Sequence, residues 1–209
     1  MRLVLASNNA KKLIELQELL SGLPVQLVPQ GALQIAEADE PHGTFVENAL
    51  AKARHAAAHA EGAAIADDSG LCVDALDGEP GVASAHYAPA PPGGGDREQQ
   101  RVRQDAANTA LLLQRMHGMV DRRARFVSTL VALRHAHDPE PLIAFGRWEL
   151  ELMHEPRGSG GFGYDPVVRV PTHDCSVAEL KPDVKNRISH RALAARQLRV
   201  LMQEVWRLG

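Results

Sequence analysis

The chain has 209 residues, 44% of them apolar and 23% charged, with a formal net charge of −3. That length can bury the core of one large domain or two small lobes, and the charge excludes a general electrostatic pull toward nucleic acid or anionic membrane. Cys72 and Cys175 give neither a disulfide framework nor a CxxC metal site. The N-terminal MRLVLASNN is too short in apolar residues for a secretory signal, and no run approaches the ~20 residues of a membrane span. The expectation is a soluble, cytoplasmic protein with no membrane or nucleic-acid polymer among its partners.

Residues 2–6, RLVLA, read as a first strand. NAKKLIELQELLSGL (9–23) follows with leucines at helical spacing and Gly22 as a stop, and VQLV (25–28) reads as a second strand. TFVENALAKARHAAAHA (44–60) is the clearest helix, opened by a Thr44/Glu47 capping box and carried by alanine. AAIA (63–66) and LCVDAL (71–76) flank two adjacent carboxylates, as two strands or one bent strand. Residues 79–95 are rich in proline and glycine and read as a loop. A helix over about 96–117 comes next. ARFVSTLVALRHA and PLIAFGRWELELM read as an antiparallel strand pair joined around HDPEP, and SHRALAARQLRVLMQEVWRL as an amphipathic helix capped by Ser189. Alternating strands and helices make the class α/β with a mixed sheet.

Some patterns mislead. GSGGFG (158–163) satisfies G-x-G-x-x-G, but YDPVVRV follows, so a strand rather than a helix comes next and a dinucleotide fold is rejected. His55 and His59 share a helix face, yet the glutamate of a zincin is absent. HAHD (135–138) reads as a plain turn. Neither a P-loop nor a G-x-S-x-G elbow is present.

Four stretches could carry chemistry. ASNNAKK (6–12) joins a strand to a helix start, where amides and lysines attract anions, and where simple N-capping is the plain alternative. EADE (37–40) is an acidic run before the capped helix. In ADDSGL (66–71), Asp67 and Asp68 point to opposite faces if the chain is extended, so only one of them need face a ligand. A carboxylate at that place is costly unless paired or bound to a cation, and Mg2+ suits one or two carboxylates plus phosphate oxygens. GGFGYDP (160–166) and KNRISHR (185–191) offer two aromatics, Phe162 and Tyr164, to stack on a base, and the donors Lys185, His190 and Arg191. Together these are the parts needed to handle a nucleoside triphosphate.

In six ordered blocks the sequence resembles the inosine triphosphate pyrophosphatases, the Ham1- or RdgB-like non-canonical purine NTP pyrophosphatases: SNNAKK (7–12), TFVENALAKARHA (44–56), ADDSGL (66–71), PGVASAHYA (80–88), GGFGYDP (160–166) and ISHR (188–191). The resemblance implies an elongated mixed sheet with flanking helices forming two lobes around a cleft. It implies a single such domain over residues 1–209 and a homodimer. It implies Mg2+-dependent hydrolysis of ITP, dITP and XTP to the monophosphate and pyrophosphate.

Carried over by position, Ser7, Asn8, Asn9, Ala10, Lys11 and Lys12 would hold the triphosphate. Asp68 would be the catalytic acid–base residue and a metal ligand, with Ser69 on the substrate. Phe162, Gly163, Tyr164, Asp165, Lys185, His190 and Arg191 would line the nucleotide pocket. Glu40, or Asp39 beside it, would be the second metal ligand. The usual SARY reads SAHY here, with His86 in the arginine position, and the acidic stretch reads DEPHGTF in place of EETGxTF. Two other readings compete: a Maf-type pyrophosphatase acting on pyrimidine or modified nucleotides, and a non-catalytic nucleotide-binding protein.

Overall fold

The computed structural model describes residues 1–208. The chain order is β1 (Arg2–Leu5), α1 (Ala10–Leu19), β2 (Gln26–Pro29), α2 (Phe45–Ala60), β3 (Ala64–Val73), α3 (Arg97–Arg115), β4 (Arg123–Leu133), β5 (Leu142–Leu152), β6 (Val168–Val170), β7 (Cys175–Ser176), α4 (Pro182–Ile188) and α5 (His190–Glu204). The strands form one sheet in the order β2-β1-β3-β4-β5-β6-β7. β1 is parallel to β2 and β3, whereas β6 is antiparallel to β5 and β7, so the sheet is mixed as expected.

The chain packs as two compact units. The first holds Met1–Asp68, Ser128–Arg147 and the chain from Asn186 on; the second holds Ser69–Val127 and Trp148–Lys185.

In the first unit, strand alternation sorts the core into two layers. Leu3 and Leu5 of β1, Ile65 of β3 and Leu130 and Ala132 of β4 share a cluster with Leu16 of α1 and Leu198 and Met202 of α5. Val4, Ala64, Ala66, Val131 and Leu133 point the other way, against Ala49, Ala53 and Ala56 of α2. Alanine on that face of α2 lets the helix lie close on the sheet. In the second unit the Phe126 and Trp148 rings pack 6.4 Å apart.

Several elements differ from the sequence reading. Of the two readings of 63–76 the single strand holds over Ala64–Val73, through both aspartates, but Asp74–Leu76 leaves it as a 3-10 turn. α1 stops at Leu19, and Gly22 turns the chain just beyond it at φ +86°. A 3-10 turn, Gly81–His86, sits inside the expected loop, and another, Asp165–Val167, precedes the short β6. At the start of α2 the Thr44 hydroxyl caps the Glu47 amide and itself donates to the Glu47 carboxylate at 2.6 Å, where the box motif would send that carboxylate to the Thr44 amide. No helix among the described residues is long and apolar enough to cross a membrane.

Candidate active site

The two adjacent aspartates obey the alternation of β3. Asp67 keeps the parity of Ile65 and faces the α1 and α5 side; Asp68 keeps the parity of Ala64 and Ala66 and faces α2. Each therefore meets a different set of cations.

Asp67 is 1% exposed. It pairs with Lys12 Nζ at 3.0 Å, accepts the Ser128 hydroxyl at 2.9 Å, and takes Arg191 Nε at 3.1 Å and Nη2 at 3.0 Å. Arg191, 2% exposed, also binds the Glu15 carboxylate of α1. Burial weighs against its charge, but Asp67 and Glu15 outweigh burial and hold the guanidinium above its ordinary value. Burial also pulls the Lys12 ammonium below its ordinary value, against the attraction of Asp67.

Asp68 accepts Lys52 Nζ at 2.7 Å through Oδ1, and Lys52 reaches Glu40 at 2.8 Å. The other oxygen, Asp68 Oδ2, is buried with no hydrogen-bond partner. Burial and then the Glu40 carboxylate push Asp68 up to about 6, against the pull of Lys52. Glu40, an exposed side chain, moves the opposite way: Lys52 holds it below the usual carboxylate range. Burial opposes the charge on Lys52 too, yet Asp68 and Glu40 together raise it. Two carboxylates that share one cation and part in their pKa values form a coupled pair.

These ion pairs set three cations, Lys12, Lys52 and Arg191, against four carboxylates, Glu15, Glu40, Asp67 and Asp68. Such a cluster repels a polyphosphate unless a further cation joins it. The buried, unpartnered oxygen of Asp68, on a carboxylate that interacts with Glu40, fits a hard divalent ion, which needs one or two carboxylates and completes its shell with water and phosphate oxygens. Among the described residues no group of three or more His, Cys, Asp and Glu converges on a metal position. Asp39, the other candidate for second ligand, is exposed, whereas Glu40 reaches both Lys52 and Asp68. His55 and His59 turn their ring nitrogens to the carbonyls of Ala36 and His55.

At the β1–α1 junction Ser7 accepts the Asn9 amide, and Asn9 caps α1 by accepting the amides of Lys11 and Lys12 at 3.0 and 3.3 Å. The capping alternative is thus realised, and the lysine side chains, rather than those two amides, are what the turn offers an anion. Asn8 donates to Glu37 at 3.0 Å; Ala10 and Lys11 are exposed. Ser69 follows Asp68 on β3, half-buried. His190 starts α5, which is capped by the Ser189 hydroxyl, and β5 passes so close that a Cβ on Gly146 would run into the His190 carbonyl.

The second unit holds the other expected group. Gly163 adopts φ +61° at the tip of the glycine-rich loop. Phe162 is half-buried, with Lys185 Nζ 4.9 Å and Arg101 5.8 Å from its ring centroid. Lys185 pairs with Asp165 at 2.7 Å. Tyr164 does not share the half-buried position of Phe162: it is 4% exposed and its hydroxyl donates to the Ser84 carbonyl at 3.0 Å, so of the two aromatics Tyr164 is committed to the core, whereas Phe162 carries two cations over its ring. KNRISHR is divided between the units, Lys185 in the second and His190 and Arg191 in the first. Arg191, expected in the nucleotide pocket, spends its guanidinium on Asp67 and Glu15.

Lys52, Asp67 and Glu15 were missed as site residues. Lys52 was legible: it falls on the stripe Ala49, Lys52, Ala53, Ala56, an otherwise apolar helix face where a lysine demands a buried partner. Glu15 had no such mark.

Residues 3–201 match the model of the Ham1 family. The chain is 66% identical over 206 residues, 99% of each chain, to the dITP/XTP pyrophosphatase of Methylibium petroleiphilum. It is 64% identical over 212 residues, the whole of each chain, to the dITP/XTP pyrophosphatase of Leptothrix cholodnii. Its fold superposes on a HAM1 protein from Coxiella burnetii with a TM-score of 0.86 at 42% identity, over 98% of this chain and 100% of the other.

Proposed function

The chain belongs to the Ham1 family, and from that premise we propose that it is a nucleoside triphosphate pyrophosphatase hydrolysing dITP, XTP and ITP to the monophosphate and pyrophosphate. The observation that carries the reading is Asp68: a buried strand carboxylate with one oxygen on Lys52 and the other buried without a hydrogen-bond partner. In this reading Asp68 and Glu40 hold Mg2+, which when bound neutralises charge on the phosphate oxygens and makes nearby water more acidic.

The chain's own groups do the rest. Lys12, with Lys11 beside it, takes the phosphates, and Ser7 to Ala10 shape the turn that presents both lysines. Asp67 holds Lys12, and Arg191 in turn holds Asp67. Asp68 accepts the proton of the attacking water as its oxygen bonds to the α-phosphorus, the bond from that phosphorus to the bridging oxygen breaks, and pyrophosphate departs. Without the ion, burial holds the Asp68 carboxyl at about 6, above an ordinary aspartate at ~3.9.

Phe162 stacks on the purine, Gly163 and Asp165 hold its loop, and Tyr164 supports that loop from the core. Lys185, on the same unit as Phe162, supplies a donor for a 6-oxo group. A donor-lined pocket leaves the amino group of adenine facing other donors, a mismatch that can give roughly 10⁴-fold rejection.

The two units are, in this reading, the two lobes of one functional domain, since the family match runs from residue 3 to residue 201. We take it to be cytoplasmic, as work on a nucleotide pool suggests. We also take it to be a homodimer, a state that sedimentation equilibrium measures. Pyrophosphate release from dITP, XTP, ITP, GTP, ATP and dTTP with Mg2+ tests the function. Preference for the first three supports it; release from dTTP alone, or from none of them, contradicts it.

A further inference from the structure

The 158–163 loop is anchored at its base by backbone bonds, Arg157 N to Pro166 O at 2.8 Å and Gly160 N to Ala178 O at 3.2 Å. Gly158, Gly161 and Gly163 all lie at positive φ, a region that only glycine enters freely, so the segment has no intrinsic stiffness. Two carboxylates hold consecutive amides at the tip. Asp165, three residues on, accepts the Phe162 amide at 3.0 Å. Asp105, on α3 and 58 residues away in sequence, accepts the Gly163 amide at 2.9 Å. All of these residues lie within the second unit.

The face of α3 that carries Asp105 is built for holding loops. One turn earlier, Arg101 sets its guanidinium over the Phe162 ring. One turn later, Asn108, 1% exposed, donates to the carbonyls of Ser84 and Ala85 at 3.2 and 3.1 Å and accepts the Ala88 amide at 2.8 Å. Gln104 donates to Ala88 O at 2.8 Å and to Asn108 Oδ1 at 2.9 Å. The Ser84 carbonyl held by Asn108 also takes the Tyr164 hydroxyl. α3 thus grips the GFGYD segment twice, directly at Gly163 and through Ser84 at Tyr164, on either side of the same peptide.

We infer that Asp105 is a positioning residue for nucleobase recognition: by anchoring the Gly163 amide to α3, it fixes the orientation in which Phe162 presents its ring to the purine. This rests on the reading of Phe162 as the base-stacking residue. Asp105 touches neither the phosphates nor Asp68 in that reading, so its loss acts on binding of the base and leaves the chemical step alone. The bond is an amide to a carboxylate, and water can replace part of it at a half-exposed loop, which sets the expected loss at the low end for charged hydrogen bonds, about tenfold in affinity.

The test is steady-state kinetics on dITP for Asp105→Ala, Asp105→Asn, Asp105→Glu and Phe162→Leu. Asp105→Ala raises KM about tenfold with kcat within threefold of wild type. Asp105→Asn keeps an acceptor oxygen at the same reach and restores most of the KM; Asp105→Glu keeps the charge but displaces the loop by a methylene, and KM stays high. Asp105→Ala in the Phe162→Leu background adds no further rise, because both changes remove the same contact. An unchanged KM in Asp105→Ala overturns the inference, as does a fall in kcat alone, or an Asn variant impaired while the Glu variant is normal. Where the alanine variant does not fold, the Asn and Glu pair decides by the same criterion. If Phe162→Leu itself leaves KM unchanged, the stacking assignment fails; if it raises KM and Asp105→Ala does not, only the role of Asp105 fails.

Discussion

The carboxylates of β3 and the glycine-rich loop at 158–163 solve opposite problems. Asp67 and Asp68 sit on a strand whose backbone is fixed by the sheet, so their directions follow from alternation and each is locked by buried cations. The loop has no ladder to hold it and borrows its shape from side chains elsewhere, Asp165 and Asp105 on its amides and Ser84 under Tyr164. The strand places reacting groups with little freedom. The loop lets a ring approach a flat ligand, at the cost of needing tethers. Damage at the strand should therefore appear in turnover or in global stability, and damage at the loop in affinity and selectivity.

The sharpest break in that comparison is Asp68→Asn. It removes the proton acceptor and a metal ligand while keeping the shape, so kcat for dITP falls roughly 10³-fold or more, whereas nucleotide binding measured by calorimetry survives. Near-normal turnover in that variant refutes the assignment. Next is Arg191→Met, which takes one of its two cations from buried Asp67 and the guanidinium from Glu15. Urea unfolding should show a loss of about 3–5 kcal/mol, and a variant as stable as wild type would show that the strand does not depend on this pair.

Asp138 supplies a control, because it is a buried aspartate outside either site. It accepts the amides of Arg134 and Glu140 and the Arg134 guanidinium at 2.9–3.0 Å, in the turn between β4 and β5. The Arg134 side chain, first of all, holds its carboxyl well below the usual range. Asp138→Asn should cost about 1–3 kcal/mol at pH 7 with kcat and KM unchanged. The sign follows from a depressed folded value: the wild-type advantage is complete above the unfolded value of ~3.9 and is lost as pH falls through the folded one. Urea titrations of both proteins at pH 7, 4 and 2.5 check this, and a gap that widens in acid contradicts it. Smallest in free energy is Phe162→Leu, a rise of about tenfold in KM for dITP with an unchanged melting temperature; a lower melting temperature with normal KM would make the ring structural.

What the sequence revealed divides along the same line. The class, the mixed sheet and the main elements were readable because periodicity and capping are local: Thr44 and Ser189 each cap the helix their position suggests. The opposite facing of Asp67 and Asp68 was readable from strand alternation alone. Which partners they would meet was not, since Lys52, Arg191 and Glu15 are brought to them by packing across long sequence separations. Tyr164 looked like a second stacking ring because its spacing from Phe162 says nothing about burial, and a bond to a carbonyl 80 residues away decides it. Asp105 carried no mark of its own in a polar helix. The 3-10 turn at Gly81–His86 was hidden in a stretch whose composition reads only as loop.

The central claim is that Asp68 and Glu40 together hold a divalent ion against the triphosphate. The most direct measurement is an anomalous difference map from a crystal grown with Mn2+ and a non-hydrolysable dITP analogue. The account predicts a peak in bonding contact with Asp68 Oδ2, Glu40 and a phosphate oxygen. A bound analogue with its metal on other residues, and Asp68 still closed onto Lys52 alone, would contradict it.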